Sequence, residues 1–261
     1  MTAEQEVASG MSGRGVLVIG SGGIGSQVCR DLAAAGARVY FSYYSNAAGA
    51  AELAAGLPAG SCAGYAALDA TDDAAVQSVV AAAGRELAGV DTLVVTAGHR
   101  HPLALFQVTT AATAAGIVAT ELGGPMNAVR AVLPAMQKNG FGRIVLVGSD
   151  SGKTGSMGDA ASAAARGGLI AFAKSIAREN AASDITVNVV CPGPTDTELL
   201  AGMTEAEGLT GKVMNAVVRA VPKRRLGSAA EISGAVAYLA GAEAGFITGQ
   251  AVSVSGGLTM Q

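Results

Sequence analysis

The sequence predicts one α/β domain, a doubly wound sheet of seven parallel strands covered by helices on both faces. Three observations predict it. Short β-branched runs alternate with Ala-rich stretches from end to end, which is the rhythm of βαβ units. A glycine cluster stands between the first such run and the first helical stretch. Half of the 261 residues are apolar and only 14% are charged, enough for one large core with little room for a second domain.

The strands expected in order are Gly15 to Ile19, Arg38 to Ser42, Gly64 to Leu68, Asp91 to Val95, Gly142 to Val147, Thr186 to Val190 and Ala251 to Val254. Between them, Ile24 to Ala35, Ala47 to Ala55, Asp73 to Leu87, Thr110 to Met136, Ala160 to Ala182 and Ala229 to Ala240 carry helical composition. Thr195 to Lys223, after a Pro-Gly-Pro turn, is the irregular exception. Such an insert either covers a substrate cleft or is a surface loop with one helix. Residues 1–13 carry Glu4 and Glu6 and no basic run ahead of an apolar core, so they read as a disordered tail before a domain at 14–261, and not as a secretory signal.

Composition excludes several classes. Apolar runs break well short of the roughly 18 residues a membrane helix needs, and alanine accounts for most of the positive mean hydropathy. No membrane span is expected. Cys29, Cys62 and Cys191 are far apart and set in apolar surroundings, which suits reduced thiols in a cytoplasmic protein. With only two histidines, His99 and His101, no metal site is expected. A net charge of −3 without a basic block gives no footprint for nucleic acid.

The glycine cluster Gly20-Ser21-Gly22-Gly23-Ile24-Gly25 follows the first strand and opens the first helix. Gly20, Gly22 and Gly25 would allow the tight turn of a Rossmann-like fold and bring a pyrophosphate to the helix N-terminus. Glycines here also serve plain helix-to-strand packing. The end of the second strand ordinarily tells NAD from NADP by an acid or an arginine, and Ser42-Tyr43-Tyr44-Ser45-Asn46 offers neither. Tyr44, with Tyr43, either lies over an adenine or fills the place of one. Asp69 is placed to accept from an adenine amino group, or to cap the helix that begins near Asp72.

Gly20 to Gly25, Thr96-Ala97-Gly98, Gly142-Arg143-Ile144-Val145, Ser149, Asn188 to Thr197 and Ile247-Thr248-Gly249-Gln250 together resemble the short-chain dehydrogenase/reductases over essentially Gly15 to Gln261. The glycine turn is one residue shorter than usual for that family. The block Cys191-Pro192-Gly193-Pro194-Thr195-Asp196-Thr197 and the tail Ser253 to Met260 look most like its dehydrogenases of alicyclic and aromatic hydroxyacyl-CoA thioesters, such as those for 2-hydroxycyclohexanecarboxyl-CoA and hydroxy(phenyl)methyl-succinyl-CoA. The resemblance implies that Ala97 and Gly98 flank the adenosine and that Thr195 meets the nicotinamide carboxamide. Pro192, Gly193 and Thr197 belong to the same cofactor-binding block, and Ser149 would hold the substrate oxygen.

The resemblance also exposes a departure. The family's tyrosine falls on Ser162, its lysine on Arg166 and its helix asparagine on Glu121. A positioned acid/base is typically worth about 10²- to 10⁴-fold, and a serine hydroxyl is a far weaker acid than a phenol. Arg166 stays protonated and is no tunable relay, and Glu121 is expected to pair with it. His99, His101 or Lys153 could stand in as the proton source.

Three functions are open. The first is an inactive subunit beside an active sister of the same family, in a hetero-oligomer expected to be a tetramer, that oxidises a hydroxyacyl-CoA to a ketoacyl-CoA with NAD. In that case this chain need bind no cofactor itself. The second is an active NADP-dependent ketone or enoyl reductase with a relocated or substrate-derived donor. The third is a dinucleotide-sensing regulator.

Overall fold

A computed structural model describes residues 10–261. Its strands are β1 (Gly15–Ile19), β2 (Arg38–Tyr43), β3 (Cys62–Ala67), β4 (Thr92–Val95), β5 (Gly142–Val147), β6 (Ile185–Pro192) and β7 (Ala251–Val254). They form a single parallel sheet in the order β3-β2-β1-β4-β5-β6-β7. The helices are α1 (Ile24–Ala34), α2 (Ala47–Gly56), α3 (Asp73–Glu86), α4 (Ala111–Val118), α5 (Gly124–Asn139), the single turn α6 (Ser151–Thr154), α7 (Ala160–Asn180), α8 (Glu198–Glu205), α9 (Gly208–Ala220) and α10 (Ala229–Ala240).

Strand periodicity divides the core in two. In β1, Val16 and Val18 point to a layer built with Val28 and Leu32 of α1, Leu53 of α2, and Ile232 and Val236 of α10. Leu17 and Ile19 point the other way, to Val76 and Val79 of α3, Val129 and Val132 of α5, and Leu169 and Ala173 of α7. Both faces are covered, which is why these strands read as unbroken apolar runs. Each fully buried leucine or isoleucine contributes about 1.5–3 kcal/mol. Local polar groups set the helix starts: Asn46 Oδ1 accepts from Gly49 N, Asp72 accepts from Ala75 N, and Ser228 and Glu231 form a reciprocal cap on α10.

Four expectations need correction. Residues 1–9 of the expected tail lie outside the described residues, but Gly10–Gly13 form a packed turn and Met11 is fully buried in the core. The stretch Thr110 to Met136 is two helices, α4 and α5, joined by a wide π turn at Ala119–Gly123. Pro125 lacks the amide that would reach back to the Glu121 carbonyl in a continuous α-helix, and Gly123 and Gly124 loosen the turn before it. Thr195 to Lys223 is mostly the helix pair α8 and α9, not a loop with one helix. Asp69 does not cap α3, since Asp72 does; Asp69 Oδ1 accepts from Thr71 N and Oγ1 in a local turn. Among the described residues no helix is long and apolar enough to cross a membrane, and no group of three or more His, Cys, Asp or Glu could hold a metal.

Candidate active site

The order of the sheet reverses between β1 and β4, and the loops after these two strands open a crevice at their carboxyl ends. The first of these loops is the glycine turn. A Cβ on Gly25 would stand 1.9 Å from the Gly20 carbonyl oxygen, so the turn closes only with glycine there. Gly20 has φ +95°, and its carbonyl accepts from Thr96 Oγ1 at the end of β4. Ala97 lies against the same glycine. Gly22 has free space around its would-be Cβ, and a Cβ on Gly23 would stand 3.7 Å from Thr197 Cγ2. The turn is thus a backbone cradle at the start of α1, bordered by Thr96 to Gly98 and Thr197, and it fits a pyrophosphate.

The adenosine end is less specific. Ser42 Oγ is buried and accepts from Gly20 N at 3.3 Å. Tyr43 packs beside Tyr65, ring centroids 6.3 Å apart, and Tyr65 stacks on Phe41 at 5.3 Å. Tyr44 is 74% exposed, so it does not fill a pocket. Asn46 is occupied with its cap.

At the other end of the crevice the chain draws together residues from three elements. Glu121, placed by the π turn and only 3% exposed, accepts from Ser162 Oγ at 2.6 Å and from His99 N at 3.1 Å. Its Oε1 pairs with Arg166 Nη2 at 3.1 Å, and Arg166 Nη1 donates to the Val147 carbonyl at 2.9 Å. Ser162 and Arg166 both sit on α7, one turn apart, so they share a face. Gly98 completes the arrangement, because a Cβ there would come within 3.0 Å of Arg166 Nη2. The group is a closed set centred on one carboxylate: Glu121 holds the Ser162 hydroxyl and the Arg166 guanidinium, and the His99 amide and Val147 carbonyl complete it. Ser149, after β5, stands outside this set and accepts from Ser151 N and Ser151 Oγ.

Three other groups are engaged elsewhere. Lys153 does not face the crevice: α6 turns it to the sheet edge, where Nζ donates to Ala251 O at 2.7 Å, Ser253 Oγ at 2.8 Å and Gln261 O at 3.3 Å. His101 Nε2 meets Asp159 Oδ1 at 2.8 Å and its Nδ1 meets His99 O at 3.2 Å. The bond to Asp159 holds the His101 imidazole above its usual pKa. Neither Asp159 nor Val147 is legible from the sequence as a partner; an Asp just before α7 signals only a helix cap. In the segment after β6, Gly193 N donates to Val254 O, Thr195 Oγ1 donates to Gly193 O, and Thr197 caps α8 through Leu200 N. Pro192 accepts from Asp150 N, which ties this segment to the loop after β5.

Comparison with known proteins agrees with this architecture. The family model described as enoyl-(acyl carrier protein) reductase matches residues 18–259. The chain is 38% identical over 249 residues to the 3-oxoacyl-[acyl-carrier-protein] reductase FabG of Escherichia coli (strain K12), covering 95% of this chain and 98% of that one. It is 35% identical over 241 residues to an acetoacetyl-CoA reductase of Rhizobium meliloti (strain 1021), covering 91% and 95%. The crystal structure of gox2181 superposes with a TM-score of 0.88 at 26% identity, covering 97% of this chain and 98% of that one.

Proposed function

The chain belongs to the short-chain dehydrogenase/reductase superfamily, and on that premise we propose that it is a non-catalytic subunit of a dehydrogenase that interconverts hydroxyacyl and ketoacyl thioesters. The observation that carries this reading is the closed Glu121–Ser162–Arg166 set. Hydride transfer between an alcohol and a nicotinamide needs a group to take or give the oxygen-bound proton. Ser162 already donates its proton to Glu121. Arg166 stays protonated and is held between Glu121 and Val147, so it cannot relay a proton. Two of the three stand-ins are occupied as well: both ring nitrogens of His101 have partners, and Lys153 is bound at the sheet edge, while His99 meets His101 through Nδ1.

The glycine cradle argues that a nicotinamide dinucleotide still fits. Gly20, Gly22 and Gly25 would take the pyrophosphate, Ala97 and Gly98 the adenosine side, and Thr195 and Thr197 the nicotinamide end. When bound, the dinucleotide supplies the hydride acceptor. Without an acid or arginine after β2, the residues favour neither NAD nor NADP. The working partner is an active sister with Tyr-x-x-x-Lys, in a hetero-oligomer, oxidising a hydroxyacyl-CoA with NAD. Support for a thioester comes from the relatives, whose names specify 3-oxoacyl carrier-protein and acetoacetyl-CoA substrates. An aromatic or alicyclic acyl group is supported only by the resemblance of Cys191 to Thr197 and of the C-terminal tail.

The test is turnover of 3-hydroxybutyryl-CoA or acetoacetyl-CoA with either dinucleotide, by the chain alone and by the triple variant Glu121→Asn, Ser162→Tyr, Arg166→Lys. The chain alone should run at least about 10²-fold slower than the variant, the lower bound for a missing acid/base. Brisk turnover by the unmodified chain overturns the reading.

A further inference from the structure

The side chains of His99, His101 and Asp159 lie beside the Glu121–Ser162–Arg166 set, which only the His99 amide joins, and take no part in the proposed function. It sits where three segments meet. The segment after β4 is joined to α9 by Leu103 N donating to Thr210 Oγ1 at 3.0 Å, and to the loop before α7 by Ala104 N donating to Gly158 O at 2.9 Å. Gly158, with φ +76°, is wedged between them: a Cβ there would stand 3.2 Å from both Leu103 Cβ and Leu209 Cδ2. The next residue, Asp159, reaches back to His101, with side chains 18% and 12% exposed.

The hydrogen-bond geometry of His101 favours its protonated form, in which the contact with Asp159 is an ion pair. Both of its ring nitrogens face acceptors, Nε2 the Asp159 carboxylate and Nδ1 the His99 carbonyl. Only an imidazolium carries N–H on both. Loss of one proton leaves a lone pair against a carboxylate or against a carbonyl. His99 Nδ1 lies 3.3 Å from His101 Nδ1. The other charged groups facing His101 are few. Glu121 from the π turn adds a favourable field and is itself neutralised by Arg166, while α9 presents Leu209 and Thr210 to this junction. Arg100, its chain neighbour, is exposed.

We propose that His101 and Asp159 form a pH-operated latch that holds the segment after β4 against α9 while His101 is protonated, and loosens that junction when it is not. The sign is set by linkage. A histidine whose pKa is raised in the folded state contributes its full stabilisation below the unfolded value and loses it as pH rises through the folded value. The latch is therefore closed in mild acid and loosens on the alkaline side of the His101 midpoint. It operates in the apo chain and needs no catalytic role for it, so it stands or falls independently of whether the chain turns over a thioester.

The test uses the full chain without substrate. With two histidines, assigned by His99→Gln, NMR titration reads each imidazole separately. Native-state exchange of the Leu103 and Ala104 amides reads the latch. We expect a His101 midpoint above that of a free imidazole, falling back in Asp159→Asn. Amide protection, corrected for intrinsic exchange, should drop about tenfold as pH crosses that midpoint, and should be low and pH-independent in Asp159→Asn and His101→Gln. Asp159 makes no side-chain cap to α7, so the asparagine variant leaves that helix intact. A free-imidazole midpoint for His101, or unchanged Leu103 and Ala104 protection in Asp159→Asn, overturns the proposal.

Discussion

Replacing Arg166 by methionine tests whether the closed set is an energetic unit. The substitution keeps an unbranched side chain, shorter than arginine's, and removes the cation paired with Glu121, a carboxylate 3% exposed. Two donors remain to it, Ser162 Oγ and His99 N. Breaking a buried pair from one side costs about 3–5 kcal/mol, because an uncompensated charge stays inside. Glu121→Gln keeps the shape and strands the guanidinium instead. Arg166 still has the Val147 carbonyl and a 10% exposed side chain, so this loss belongs at about 1–3 kcal/mol. In the double variant neither charge is left to strand, and the losses should fall short of additivity by about 2 kcal/mol or more. The assay is urea unfolding at one protein concentration, since assembly shifts the midpoint, with a double-mutant cycle on the extrapolated free energies. Single losses that sum to the double within about 0.5 kcal/mol would show that the two residues do not stabilise each other, and the reasoning would fail.

The same geometry sets further outcomes. Burial pushes the Cys29 thiol up to about 12 and Cys191 up to about 11, so half-buried Cys62 should be alkylated well before either in the native protein at mildly alkaline pH, read by mass spectrometry. Gly25→Ala drives a methyl into the Gly20 carbonyl, which should cost about 1–3 kcal/mol and abolish any dinucleotide affinity measured by calorimetry. Ser228→Ala removes the cap on α10 and should cost about 1 kcal/mol in thermal unfolding, with amide exchange accelerated first at Ala230 and Glu231.

Most of the sheet is legible in the sequence because parallel strands buried on both faces leave continuous apolar runs, and β1, β5 and β7 fall on their expected residues. The break at Ala119–Gly123 is not, since apolar periodicity runs on through it and only Pro125 hints at the missing amide. The pair α8 and α9 hides behind mixed composition; the cap at Thr197 is the local sign. Lys153 is misplaced by counting residues from Ser149, because the intervening turn α6 rotates it to the sheet edge. The Glu121–Arg166 pair is expected only because the family resemblance sets both residues at positions of one site. The His101–Asp159 contact spans 58 residues and has no local signature. Polar partners that come together only through tertiary packing are the part that periodicity does not encode.

The wide turn before α5 has a consequence for insertions and deletions. The wide turn absorbs one surplus residue, so removing one there would keep α4 and α5 nearly in phase but re-aim the residues of the turn itself by up to about 100°. Glu121 would then leave Arg166, and Pro125 would still lack the amide for the tightened turn. Lengthening or shortening the chain by one is tolerated in most surface connections, yet in this stretch the surplus residue acts as a keyed spacer, and its loss would be felt on both sides of the crevice at once.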